Sequence, residues 1–264
     1  MSIATDPKLG LIDGPVHPRL AALNRAQGWY GWAGYAAPSM LDTVEFEYFA
    51  LRNQASLFDI SPLHKYRITG PDAARVLNRL VTRDVTKIPL HRVGYAIWCD
   101  EEGMVIDDGT LFHLGADDWR LCCQEPMLTW LLEAARGFDA SVHDESRKIA
   151  ALALQGPTSF AVLRAAGFDV AHLRPFDLAE VEPGRAGENL GLRAIGYEAV
   201  NIARIEAGFM VAGVDFQPAH ATERLHRGHT PLELGLGSMV DFTKGHFNGR
   251  RALLAAKPRS LLMR

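Results

Sequence analysis

Residues 65–155 constrain the fold more than any other stretch of this chain. "KYRIT" reads as a short strand, and "GPDAARVLNRLVT" opens a helix with Pro71 at its first position, where a missing N–H costs nothing. "VGYAIWCD" and "GMVIDDGTLFHL" read as two strands around the acidic turn "DEEG", and "WRLCC" as a third. "EPMLTWLLEAARGF" predicts a helix ending at Gly137, followed by strands over "SVHD" and "IAALALQ". Strand, helix, strands, helix, strand is the order of a ferredoxin-like split βαβ unit in an α+β protein. One echo accompanies it: "RITGPDAARVLNRL" recurs as "ALQGPTSFAVLRAA", with Val76 and Leu77 matched by Val162 and Leu163. The echo fits a duplicated strand–helix module, hence two related subdomains, and fits equally a Gly-Pro that merely opens helices.

The first forty-odd residues, including "QGWYGWAGYAAPSM", show no clean period and read as an irregular arm. The expected organisation is therefore an N-terminal arm and domain start over 1–60, a ferredoxin-like α+β domain over 61–150, and a second α+β subdomain over 151–264. Composition narrows the function classes. A net charge of -3 without a basic block argues against a nucleic-acid surface. The apolar runs, such as 149–154, fall far short of the roughly 20 residues a membrane span needs. The N-terminus carries no basic segment followed by an apolar one, so no signal peptide is expected. Cys99, Cys122 and Cys123 form neither a CxxC nor a Cys/His pattern, which predicts a reducing, cytoplasmic setting and no structural metal.

Two places carry candidate chemistry. Asp107 and Asp108 interrupt an apolar run, although Asp is depleted in strands and a buried carboxylate is expensive without a partner. Asp108 followed by Gly109 is a strong hairpin dipeptide, which favours a solvated turn. If the strand instead continues, only one of the two can face the interior, and that carboxylate becomes a catalytic candidate with a shifted pKa. In "IGYEAVNIARIEAGF", read as a helix, Ile195, Ala199, Ile202 and Phe209 form an apolar face. Tyr197, Asn201, Arg204 and Gly208 form a second stripe, where Arg204 suits either a solvated helix end or a clamp on a carboxylate or heteroaromatic oxygen. "GLGSMV" (235–240) is an incomplete dinucleotide fingerprint, and no P-loop, GxSxG or HExxH is present. His220, His226 and His229 lack ligand spacing and read as an exposed loop.

Six segments in order, "LRNQASLFDISP", "GPDAARVLNRL", "GMVIDDGTLF", "ALQGP", "RIEAGFMVAGVDF" and "PLELGLGSMVDFTKGHFNGRRALL", resemble the aminomethyltransferase (glycine cleavage T-protein) family. That family includes folate-dependent N-, O- and S-demethylases, and the resemblance runs over about 45–257. It implies a cloverleaf of three domains around a tetrahydrofolate pocket, the last a small β-barrel. It implies that Asp108 lies near the ring nitrogens that accept the one-carbon unit and is the catalytic residue. Tyr95, Gln124, Arg204, Leu63 and Phe112 fall at cofactor-binding positions, Leu63 in place of a folate-packing Met. The implied activity is transfer of a methyl or aminomethyl group to tetrahydrofolate from an amine, an ether or a lipoyl carrier protein.

Departures from the family pattern weigh against that activity. The Gly-Tyr-Thr-Gly-Glu segment with its pterin-binding Glu is absent, and "DLAEVEPG" passes through "RAGEN" into "LGLRAIGYEA". Ala212 stands at a usual tyrosine, and "KPRSLLMR" stands where the barrel is expected to begin. The alternative is a non-catalytic, short folate-binding relative, or a chain whose pocket a companion chain or oligomer completes. His246 in "KGHFNGRR" replaces the cysteine of the iron–sulfur-assembly branch, which argues against that branch, and the texture is closer to the demethylating members.

Overall fold

The computed structural model describes residues 10–180, 192–222 and 228–256. The elements run β1 (Ile12–Asp13), α1 (His17–Leu23), β2 (Gly28–Trp32), β3 (Tyr35–Met40), α2 (Val44–Asn53), β4 (Ala55–Asp59), β5 (His64–Thr69) and α3 (Ala73–Leu80). They continue with β6 (Val93–Cys99), β7 (Val105–Gly115), β8 (Asp118–Cys123), α4 (Leu128–Ala134) and β9 (Ser141–Asp144). Then come β10 (Leu152–Gln155), α5 (Ser159–Ala165), β11 (Leu192–Ala194), α6 (Tyr197–Ala207) and α7 (Arg250–Ala256). Two compact units share these elements: Met1–Leu63, Ser146–Arg174 and Ala179–Phe209 form one, His64–Glu145, Pro175–Leu178 and Met210–Arg264 the other.

The second unit holds the ferredoxin-like arrangement, a five-stranded antiparallel sheet in the order β6-β7-β8-β5-β9. Its core joins Ala73, Leu77 and Leu80 of α3 and Leu131 of α4 to Ala96, Trp98, Leu111, Trp119 and Leu121 of the sheet. A second apolar cluster combines Ile97, Cys99 and Val105 of the sheet with Ala212, Phe216, Val240, Phe247 and Leu253. Both sides of the strands are thus covered, which explains their near-continuous apolar character. Two helix ends move from their expected places. Helix α3 begins at Ala73 because the Gly70 carbonyl accepts the Ala73 N–H at 2.9 Å, leaving Pro71 in a turn. Helix α4 stops at Ala134, three residues before Gly137.

The first unit contains the sheets β1-β3-β2 and β10-β4-β11. The arm read as irregular is in fact the antiparallel hairpin β2–β3, closed at Trp32 and Tyr35. Ala33 and Gly34 both have positive φ, 48° and 83°, the backbone that matches the twist of a two-residue hairpin. Its core comprises Leu51, Phe58 and Ile195, with Trp32, Tyr197, Val200 and Ala203 packed against them. The apolar face expected on α6 is therefore rotated: Ala199, Val200 and Ala203 point inward, whereas Ile202 and Phe209 are 39% and 69% exposed. Glu47, buried on α2, accepts the N–H groups of Leu41 (2.7 Å), Asp42 (2.8 Å) and Gly196 (2.8 Å), so its carboxylate is satisfied by backbone alone. Among the described residues, no helix is long and apolar enough to cross a membrane.

Candidate functional site

Strand β7 runs unbroken through Asp107 and Asp108, so the turn expected at Asp108 and Gly109 does not form. Gly109 is there for space. A Cβ on it would lie 2.3 Å from the Cys122 carbonyl oxygen and 3.2 Å from the Trp98 ring. The actual turn precedes the strand, where an Asp100 carboxylate oxygen accepts the Met104 N–H at 2.8 Å.

Register separates the two carboxylates. Asp107 pairs with Trp98 and faces the helix-covered core at 1% exposure. Its Oδ2 accepts the Glu125 N–H at 2.9 Å, and its Oδ1 has no partner among the described residues. Burial pushes its carboxyl up to about 7 against the opposing pull of that N–H, and the neighbouring Asp108 charge adds to the rise. Asp108 pairs with Ile97 and lies on the other face, half-buried. Tyr95, two residues along β6 on that same face, is its diagonal neighbour, close enough for phenol and carboxylate to shift each other's proton affinity. Burial raises the Asp108 pKa, while the Tyr95 hydroxyl opposes the rise. Burial likewise raises the Tyr95 phenol, with the Asp108 charge adding to it.

Gln124 follows the last residue of β8. The final Cα pair of that ladder is Gly109 with Cys123, so the next rung sets Gln124 opposite Asp108 and Glu125 opposite Asp107. The Gln124 side-chain Nε2 donates to the Ala212 carbonyl at 3.1 Å. Ala212 belongs to the apolar cluster against which Tyr95 packs, so Tyr95, Asp108 and Gln124 share one side of the sheet. Phe112 is half-buried on that same side of β7, paired with Val93 and Arg120. These four residues belong to one unit. Leu63 and Arg204 belong to the other, Leu63 just beyond β4 with its N–H on the Ile60 carbonyl at 3.2 Å. The polar stripe expected on α6 is present there. Arg204 Nε donates to Asn201 Oδ1 at 2.9 Å, Tyr197 approaches the same oxygen at 3.5 Å, and Arg204 Nη1 donates to the Phe209 carbonyl at 3.2 Å.

The corner that carries Gln124 leaves no local signal in the sequence. Cys123 Sγ donates to the Glu125 carbonyl at 3.3 Å, and the Tyr66 hydroxyl accepts the Met127 N–H at 3.0 Å. His220, in a 3-10 turn (Ala219–Ala221), approaches Glu125 Oε2 at 3.1 Å rather than lying in a free loop, while His226 falls outside the described residues. The segment 181–191, where the family pattern is interrupted, and residues 257–264 also fall outside them. Chemically, a carboxylate withdrawn from water beside a phenol can stabilise a developing positive charge and accept a proton.

The GCVT N-terminal domain family matches residues 17–182. An aminomethyltransferase of Herpetosiphon aurantiacus is 30% identical over 265 residues, covering 90% of this chain and 73% of that protein. One of Caldanaerobacter subterraneus is 30% identical over 270 residues, covering 87% and 70%. The crystal structure of the glycine cleavage system aminomethyltransferase T of Bartonella henselae superposes with a TM-score of 0.78 at 23% identity, over 93% of this chain and 74% of that one, a likeness of fold. The chain belongs to the aminomethyltransferase family, that of the glycine cleavage T-protein.

Proposed function

We propose that this chain transfers a one-carbon group, methyl or aminomethyl, from an amine, an ether or a lipoyl-bound aminomethyl donor to tetrahydrofolate. The observation that carries the reading is the Asp108–Tyr95 pair, half-buried on one side of β6 and β7 beside Gln124. The donor set suits a reduced pterin: a carboxylate faces ring N–H groups well, and a side-chain amide offers both a donor and an acceptor to a lactam edge. Tetrahydrofolate, when bound, supplies the nitrogen that receives the carbon. As the nitrogen–carbon bond formed, the donor's C–N, C–O or C–S bond would break with its electron pair going to the leaving amine, alcohol or thiol, and Asp108 would stabilise the cationic nitrogen and pass the proton it sheds to that leaving group. Tyr95 holds the Asp108 carboxylate in place by donating to it, and Gln124 orients the ring. Leu63 and Arg204, in the other unit, are carried over as folate contacts by resemblance alone, and within that unit Asn201 and the Phe209 carbonyl hold the Arg204 guanidinium.

Asp108→Asn tests the assignment. Turnover is expected to fall by roughly 10²- to 10⁴-fold, the usual worth of a positioned acid–base group, with tetrahydrofolate binding within about threefold of the parent. Unchanged turnover would remove Asp108 from the chemistry. A second reading, a folate-binding relative without turnover, is favoured by Ala212, whose small side chain stands at the family tyrosine. Saturable tetrahydrofolate binding with no transfer from any of the three donor classes would select it.

A further inference from the structure

Asp107 is the costliest polar choice in the core of its unit. Its cross-strand partner is Trp98, it is almost wholly buried, and one of its carboxylate oxygens finds no partner among the described residues. An apolar residue would pack there without the desolvation penalty. The reason for an acid lies one rung beyond the end of β8. There the chain leaves the ladder, the Gln124 amide turns to the Ala212 carbonyl, and the Glu125 N–H is without a main-chain acceptor among the described residues. Asp107 Oδ2 replaces that acceptor at 2.9 Å. Cys123 Sγ on the Glu125 carbonyl and Tyr66 on the Met127 N–H fix the same corner from β8 and β5.

We propose that Asp107 is the positioning residue for Gln124: it clamps the backbone one residue past Gln124 and so sets the aim of the Gln124 amide toward bound tetrahydrofolate. Neighbouring carboxylates on one strand thus divide the work, Asp108 on the ligand side and Asp107 beneath the corner that carries a ligand contact. The inference rests on the reading of Gln124 as a folate contact.

A thermodynamic cycle tests it. Tetrahydrofolate affinity is measured by calorimetry for the parent, Asp107→Ala, Asp107→Asn, Gln124→Ala and the double Ala variant of the full chain. Asp107→Ala is expected to weaken binding about tenfold or more, and Asp107→Asn to stay within about threefold because its amide oxygen still accepts the Glu125 N–H. In the Gln124→Ala background, Asp107→Ala should cost little further, since the two changes act through one group. Equal losses in both backgrounds, or no loss at all, would overturn the proposal. If the parent itself does not bind tetrahydrofolate, the functional reading falls. The positioning claim is then read from the Gln124 side-chain amide resonances of the ligand-free protein, which should shift in Asp107→Ala and hold in Asp107→Asn. Should Asp107→Ala fail to fold, Asp107→Ser, too short to reach the Glu125 N–H, takes its place with the same expectations.

Discussion

The strand–Gly-Pro–helix module at Gly70 and its echo at Gly156 have the same backbone and different surroundings. Gly70 and Gly156 have φ of 117° and 113°, a region side chains avoid, and each is followed two residues later by a helix cap, Asp72 or Thr158, near φ -99° and ψ 7° to 8°. Each glycine carbonyl accepts the N–H three residues on, at 2.9 Å from Ala73 and 3.1 Å from Ser159. Each cap N–H reaches across to another segment, Asp72 to the Asp139 carbonyl and Thr158 to the Gln54 carbonyl. Beyond the turn the likeness ends. Helix α3 buries Ala73, Val76, Leu77 and Leu80 completely, while α5 has no fully buried residue. Strand β5 lies between β8 and β9, whereas β10 pairs, among the described residues, only with β4. Local sequence thus dictates a turn wherever it occurs, and the number of layers around it decides how much stability follows.

The sharpest way to break this comparison is to strike what the modules share. Gly70→Ala and Gly156→Ala should each destabilise by about 4 kcal/mol or more, since each combines an unfavourable φ with an overpacked Cβ. That Cβ would lie 2.6 Å from the Asp139 carbonyl oxygen in one case and 2.4 Å from that of Gln54 in the other. Urea denaturation showing one glycine to be freely replaceable would end the equivalence.

Depth alone is probed next through Asp107. Burial lifts its carboxyl from 3.8 to about 7, so the neutral acid favours the fold below pH 4, and that advantage is lost as pH rises through 7. Asp107→Asn does not titrate. The parent should therefore lose stability relative to Asp107→Asn between pH 4 and pH 8, by about 4 kcal/mol for a shift of three pH units. Parallel pH profiles of chemical unfolding for the two proteins would contradict it. The smallest effect separates the two helices. Leu77→Ala should cost about 3 kcal/mol as a cavity in a closed core, and Leu163→Ala, half-buried at the matching position, about 1 kcal/mol. Equal losses in thermal melts would show that α5 is as deeply packed as α3.

What could be read from the sequence follows the same division. The strands from β5 to β9 were legible because alternation and turn residues mark them locally, and the Gly-Pro echo because its backbone demand is local too. Hairpin β2–β3 was not, since Gly, Ala and aromatic residues fill both of its faces and leave no period. The face of α6 was misjudged because Ile202 and Phe209 are as apolar as Val200, and only the packing partner decides which stripe turns inward. At the candidate site, resemblance pointed to Asp108, Tyr95 and Gln124, and the register of β6 with β7 explains why Asp108 and Tyr95 meet. The part played by Asp107 was invisible. Its acceptor role depends on β8 ending before Glu125, whose N–H it receives from eighteen residues away, a fact of tertiary structure.

Glu47 carries a consequence in time. Two of its hydrogen bonds close loops of five and six residues, but the third, from Gly196, spans 149. Short loops close in well under a microsecond, whereas a link across more than half the chain must wait until distant segments have found each other. The bond from Gly196 is therefore expected to form last, when α6 arrives. What that final bond contributes governs how slowly this unit comes apart, and it has little hold on how quickly the unit is made.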